Sequence, residues 1–185
     1  REDSFRNLIF LNIMGLEKHW SETVFDLILD QDISLVSFVP DAGLSQLIDL
    51  CVAHDAVQTV RLTSEEEGVS LAMGSWLAGK KSLLLMQSSG VGNCVNMLSM
   101  LNTCQVPLPM IVTMRGDWGE FNPWQVPMGQ ATPAVLEAMG VKVFRADHPE
   151  EVGPVVDAAA KLAFNTSQSA TVLLSQRLIG AKEFK

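Results

Sequence analysis

The feature that most constrains this chain is a rhythm in which short runs, apolar at nearly every position, recur between longer amphipathic stretches. A strand with one wet face alternates apolar and polar residues, whereas Leu83-Leu84-Leu85-Met86 has no polar member. Such a run suits a strand covered on both faces, as in a parallel sheet whose crossover helices pack above and below it. The pattern predicts strands near Ile33–Phe38, Val57–Leu62, Ser82–Met86, Met110–Met114, Val141–Phe144 and Thr171–Leu174, with helices between them and one more ahead of the first. The expected fold is therefore α/β: a three-layer open sheet of about six mostly parallel strands with helices on both faces.

A chain of 185 residues with 48% hydrophobic and 18% charged residues has enough material for one well-buried core, not for two catalytic domains. One domain is expected over residues 16–185, preceded by an extension at 1–15. The net charge of −8 and the lack of Lys/Arg clusters argue against nucleic acid as a partner. Cys51, Cys94 and Cys104 are odd in number and lack CxxC spacing, which suggests neither a disulfide framework nor a tetrahedral zinc site and fits a reducing cytoplasm. The apolar stretch from Leu8 to Leu16 is too short to span a bilayer and contains Asn12, so no membrane association is expected.

In open α/β sheets, ligands bind outside the carboxyl ends of the strands. Those ends read Val39-Pro40-Asp41-Ala42-Gly43, Thr63-Ser64-Glu65-Glu66-Glu67, Gln87-Ser88-Ser89-Gly90-Val91-Gly92-Asn93 and Arg115-Gly116-Asp117-Trp118-Gly119. Any one of them is adequately explained by turns and caps; four at one edge point to a site. Gly90 and Gly92 permit close backbone approach to a cofactor ring or an anion. They do not form a dinucleotide fingerprint, whose third glycine would have to stand at Val95, and no Lys-Ser/Thr follows as in a P-loop. Ser64 and Glu67 have capping-box spacing, and Glu65 and Glu66 favour the positive end of a helix dipole. Gly68, Ala72 and Gly74 thin the same helix and suggest close packing against it. His19, His54 and His148 fall outside these loops, His148 at a helix start, and read as surface or packing residues.

The residues from Ser64 to Gly74 resemble the glutamate helix in the pyrimidine-binding domain of thiamine-diphosphate enzymes, where a Glu precedes a helix glycine by nine positions; Gly74 assigns that role to Glu65. Met86-Gln87-Ser88-Ser89-Gly90-Val91-Gly92-Asn93 with Asn96 resembles the M-Q-[NS]-S-G-x-G-N-x-x-N stretch of the sulfopyruvate and phosphonopyruvate decarboxylase family. Val39-Pro40-Asp41, Met114-Arg115-Gly116 and Gln125-Val126-Pro127-Met128-Gly129 continue the resemblance in order, over roughly residues 16 to 180.

The resemblance implies a decarboxylase subunit that binds thiamine diphosphate through Pro40, Asp41, Glu65, Gln87, Ser88, Ser89, Gly90 and Asn93. Glu65 would hydrogen-bond N1′ of the aminopyrimidine and activate the cofactor, which carries the carbon chemistry. Arg115, with a planar fork suited to oxyanions, and Gln87 would meet a small anionic 2-oxo acid; Arg115 is equally a surface residue in a turn. Asp41 is a weaker candidate for proton transfer and also a good helix cap. The family's second domain, whose Gly-Asp-Gly and downstream Asn hold Mg2+ and the diphosphate, has no counterpart here, for Gly116-Asp117-Trp118 is only a fragment of that motif. A diphosphate-binding β subunit that holds Mg2+ is therefore expected, with the active site between the two chains and self-association besides. Trp118, Phe121, Pro123 and Trp124 would order on the cofactor or partner, or fold back on their own domain. Conversion of sulfopyruvate to sulfoacetaldehyde and CO2 is the leading expectation. Phosphonopyruvate or another 2-oxo acid, or a non-catalytic subunit that keeps the fold, is the alternative.

Overall fold

The computed structural model describes residues 18–181. The expected extension at 1–15 and the first residues of the expected domain lie outside the described residues. The chain runs α1 (Trp20–Asp30), β1 (Ile33–Phe38), a 3-10 turn (Ala42–Leu44), α2 (Ser45–Val52), β2 (Gln58–Arg61), α3 (Glu65–Leu77), β3 (Lys81–Gln87), α4 (Ser88–Cys104), β4 (Leu108–Thr113), α5 (Gln125–Ala138), β5 (Lys142–Ala146), α6 (Pro149–Thr166), β6 (Ser169–Leu174) and a short α7 (Gln176–Ile179). The six strands form one sheet in the order β2-β1-β3-β4-β6-β5, and every pairing is parallel.

Side chains of a strand point alternately to its two faces, so an all-apolar strand feeds two cores at once. Leu83 and Leu85 join Ile111, Val172 and Leu174 in a core beneath α1, α2 and α6. Leu84 and Met86 join Met110, Val112 and Leu173 in a second core beneath α3, α4 and α5. The two outermost strands, β2 and β5, are partly exposed and carry more polar residues, whereas β4 and β6 are buried throughout. Each of the six expected strands is present; β4 and β6 each begin two residues earlier than the apolar pattern indicated, at Leu108 and Ser169.

One of the expected loops is helix instead, and the expected capping box at the start of α3 is present. Gln87 caps α4, which begins at Ser88, so Ser88 to Asn93 form its first turns and not a glycine-rich loop. Glu65, Glu66 and Glu67 form the first turn of α3, where the Glu67 carboxylate accepts from the N–H groups of Thr63 at 2.9 Å and Ser64 at 3.5 Å. Gly68 does admit close packing, since a Cβ there would lie 2.5 Å from Leu84 Cδ1 and 2.9 Å from Leu62 Cδ1. Gly74, by contrast, has nothing within 4 Å of a Cβ among the described residues. His19 and His148 cap α1 and α6, and His54 packs edge-on against Phe25. Among the described residues no helix is long and apolar enough to cross a membrane.

The strand order reverses twice, where β2 and β3 leave β1 in opposite directions and where the chain skips from β4 to the edge strand β5 before returning through β6. Reversals of this kind open crevices at the carboxyl edge. After β4, residues 114–124 cross that edge before α5 turns back onto them so closely that a Cβ on Gly129 would lie 1.8 Å from the Arg115 carbonyl oxygen. Backbone cannot swing aside as a side-chain tip can. Gly129→Ala should therefore lower stability by about 1–3 kcal/mol, the usual cost of overpacking, read as a fall in the urea midpoint at unchanged m-value; a wild-type midpoint would contradict this packing.

Candidate active site at the carboxyl edge of the sheet

At the first reversal, the carboxylate of Asp41 stands just beyond β1 and accepts hydrogen bonds from three directions. Its Oδ1 accepts from Gln87 Nε2 at the end of β3 (3.0 Å), and its Oδ2 from Thr113 Oγ1 at the end of β4 (2.8 Å) and from the Gly43 N–H (3.1 Å). Three strand ends are thereby tied to one side chain. Gln87 Oε1 in turn accepts from Ser89 Oγ at 2.9 Å and from Gln125 Nε2, at the start of α5, at 3.4 Å. Pro40 is exposed beside Asp41, at the rim of an open groove of about 330 Å³.

Glu65 lies on α3 and is only 7% exposed. Its Oε2 accepts from Asn93 Nδ2 at 2.8 Å. Its carboxyl group rests against Gly90, where a Cβ would come within 2.3 Å of Oε1, so Gly90 leaves room for this carboxylate. Gly90 is thus needed for contact within the chain. One oxygen is held and the other receives no hydrogen bond from the described residues. Beneath it, the Cys94 thiol is pushed up to about 12 by burial, with the charges of Glu65 and Glu66 adding to the effect. A thiol held protonated in this way is no nucleophile.

The first two turns of α4 therefore serve both clusters, Gln87 and Ser89 meeting Asp41's network and Gly90 and Asn93 meeting Glu65. Of the residues expected to bind a cofactor, Pro40, Asp41, Glu65, Gln87, Ser89, Gly90 and Asn93 come together along this edge. Ser88 does not present itself to a ligand. It is 0% exposed, and its hydroxyl accepts from the Arg115 N–H at 3.0 Å while donating to the Arg115 carbonyl at 3.4 Å, which staples α4 to the end of β4.

Arg115 also departs from expectation. Its fork is occupied: Nε and Nη2 each donate to Glu120 at 2.6 Å, and the two side chains are 9% and 3% exposed. The pairing holds the Glu120 carboxyl well below the usual carboxylate range, chiefly through the Arg115 hydrogen bonds and against the opposing effect of burial. Trp118, Phe121 and Trp124 are exposed on the same crossing. Thr113, Glu120 and Gln176 were not marked in the sequence, and Gln125 was marked only as part of a motif, without a role. The strand-end rule applied to β6 would have found Gln176, but Glu120 carries no local signal.

No protein-family model matches the chain. It is 34% identical over 155 residues to sulfopyruvate decarboxylase subunit α of Methanococcus maripaludis, covering 83% of this chain and 93% of that one. It is 32% identical to a protein of Methanosarcina acetivorans named sulfopyruvate decarboxylase, covering 88% of this chain but 41% of the longer one. Among solved structures, a 2-oxoglutarate:ferredoxin oxidoreductase from Magnetococcus marinus superposes with a TM-score of 0.67 at 14% identity, over 88% of this chain and 29% of that one. At that identity the likeness is one of fold.

Two outcomes follow from this geometry. Gly90→Ala should destabilise the protein because its methyl group takes the space of the Glu65 carboxyl, and Glu65→Ala in the same chain should remove most of that penalty; simple additivity in the double-mutant cycle would refute the contact. The second concerns acid. Glu120 binds a proton more weakly folded than unfolded, so its contribution to stability is present above the unfolded value of about 4.3 and is lost as pH falls towards its lower folded value. Below pH ~4.3 the unfolding free energy should fall less steeply in Glu120→Gln than in the wild type; equal slopes would count against the pairing.

Proposed function

The chain belongs to the family of sulfopyruvate decarboxylase α subunits, and on that footing we propose that it is the cofactor-activating subunit of a thiamine-diphosphate-dependent decarboxylase that converts sulfopyruvate to sulfoacetaldehyde and CO2. The observation that carries the reading is the Glu65 carboxylate, buried, fixed at Oε2 by Asn93 and with Oε1 receiving no hydrogen bond from the described residues. The residues present fit the pyrimidine end of the cofactor, since the cradle at Gly90 positions a carboxylate that can share a proton with a ring nitrogen. When bound, thiamine diphosphate supplies the electron sink that decarboxylation of a 2-oxo acid requires.

The chain's own contribution is orientation and proton control. Glu65 holds the proton exchanged with the pyrimidine nitrogen, and Asn93 fixes the carboxylate plane so that Oε1 keeps one direction. Asp41, anchored by Thr113 and Gly43, orients the Gln87 amide, and Ser89 and Gln125 donate to the other side of that amide. Pro40, Asp41 and Gln87 border the cofactor on this reading, and the 2-oxo acid sits on the side of Gln87 and Arg115.

The diphosphate and Mg2+ are assigned to a β subunit. The relatives' designation as subunit α supports a partner, and so does the match to 41% of a longer chain that carries the undivided name. The surface supports it too, for the seventeen residues of α4 include no Asp, Glu, Lys or Arg, and Leu77 and Met100 are exposed on the same helical layer. Uncharged, partly apolar faces of this kind are typical of the centre of an interface, and they also leave room for self-association. The three free thiols fit a cytoplasmic location.

Decarboxylation of sulfopyruvate, with phosphonopyruvate and pyruvate alongside, should appear only when this chain is mixed with its β subunit, thiamine diphosphate and Mg2+. Failure in a demonstrably assembled complex would reject the substrate or the catalytic role. In that complex Glu65→Gln should lower kcat by at least about a hundredfold, within the range general acid–base groups contribute, without lowering the melting temperature of the chain; near-normal turnover would remove Glu65 from the mechanism.

A further inference from the structure

Residues 115–124 cross the open side of the candidate site, and one carboxylate sets their shape. Glu120 accepts five hydrogen bonds: from Arg115 Nε and Nη2 at 2.6 Å each, from the N–H groups of Gly116 at 3.2 Å and Asn122 at 3.0 Å, and from Gln176 Nε2 at 2.9 Å. Four of these donors lie on the crossing itself, and the fifth comes from the end of β6. Gln176 also works in the other direction, its Oε1 accepting from the N–H groups of Asp117 at 3.1 Å and Trp118 at 3.0 Å. Arg145 Nη2 holds Asp117 at 2.7 Å. The face of the Arg115 guanidinium lies 5.7 Å from the centre of the Phe121 ring.

An arginine receives an anion bidentately on one of its two paired N–H edges, Nε/Nη2 or Nη1/Nη2. Here the Nε/Nη2 edge is committed to Glu120, and the pair is almost wholly buried. A substrate sulfonate that took this edge would leave Glu120 as a buried charge without its partner, a strongly unfavourable state. The arrangement does suit a brace. The start of the crossing is fixed to α4 through Ser88, its middle to the start of α7 through Gln176, and its end against Gln87 through Gln125.

We propose that Glu120, with Arg115 and Gln176, is a positioning residue for the substrate: the cluster holds residues 115–124 in the shape that borders the site, and Arg115 acts through that shape and not by gripping the substrate's anionic head. This inference rests on the decarboxylase reading given above. The acidic head then takes its donors from elsewhere in the assembled site.

The test uses the assembled complex with β subunit, thiamine diphosphate and Mg2+. Glu120→Gln should raise KM for sulfopyruvate at least tenfold, keep kcat within threefold and leave cofactor affinity within twofold. Adding Arg115→Gln to Glu120→Gln should raise KM no more than twofold further, because the two side chains act as one unit. A further tenfold rise in the double variant would mean that Arg115 binds the substrate directly, and would overturn the proposal. So would an unchanged KM accompanied only by a lower melting temperature. Should Glu120→Gln fail to fold, Gln176→Ala keeps the ion pair and should raise KM two- to fivefold, with faster amide exchange at 116–122; no change in either would overturn the proposal. If the wild-type complex shows no decarboxylation, the functional reading fails separately. The exchange rates of 116–122 in Gln176→Ala then still decide the brace.

Discussion

A parallel sheet brings its strand ends to one edge but leaves them spreading apart where the strand order reverses, and in this protein one carboxylate spans that spread. Asp41 receives Gln87 from β3, Thr113 from β4 and an amide from its own turn, so the ends of β1, β3 and β4 keep one spacing. The remaining geometry hangs from this tie. Gln87 caps α4, the first turns of α4 carry Gly90 and Asn93, and these two receive the Glu65 carboxylate from α3.

The two buried acids beyond Asp41 divide their work by how many partners they have. Glu120 has five donors, among them both nitrogens of an arginine edge, and is fully engaged within its own chain. Glu65 has one, from Asn93, and keeps an oxygen in reserve. Full satisfaction makes a buried charge structural, whereas partial satisfaction leaves it able to exchange a proton with something that arrives. On the proposed reading the chemistry falls to Glu65 and the architecture to Glu120, although both are acids on the same sheet edge.

Much of this was legible in the residues. The apolar runs located all six strands; the central strands β3, β4 and β6 hold few polar positions because both their faces are covered, while the edge strands β2 and β5 are partly exposed, and the polar clusters at the strand ends placed Asp41, Glu65, Gln87 and Asn93 along one edge. Boundaries were less legible. Ser88 to Asn93 looked like a loop because two glycines and three small polar residues read as turn-formers, yet Gly90 serves to admit a neighbouring carboxyl group, a requirement that only the packed helix reveals. Ser88 and Arg115 are both buried and engaged within the chain for a reason the sequence does not carry: residue type states what a side chain can bind, and burial decides whether anything outside can reach it.

By itself, then, the sequence determined the layering of the fold, the edge at which ligands meet it and the family to which its motifs point, since these depend on periodicity and on which residue types stand at strand ends. Only the tertiary structure decided which of those polar groups remain available. Glu120 and Gln176 are separated by 56 positions and meet only because β4 and β6 are neighbours in the sheet. Pairings at that range leave no local signal, and this one fixes the carboxylate to which Arg115 commits one edge of its fork, whereas one oxygen of Glu65 receives no hydrogen bond from the described residues.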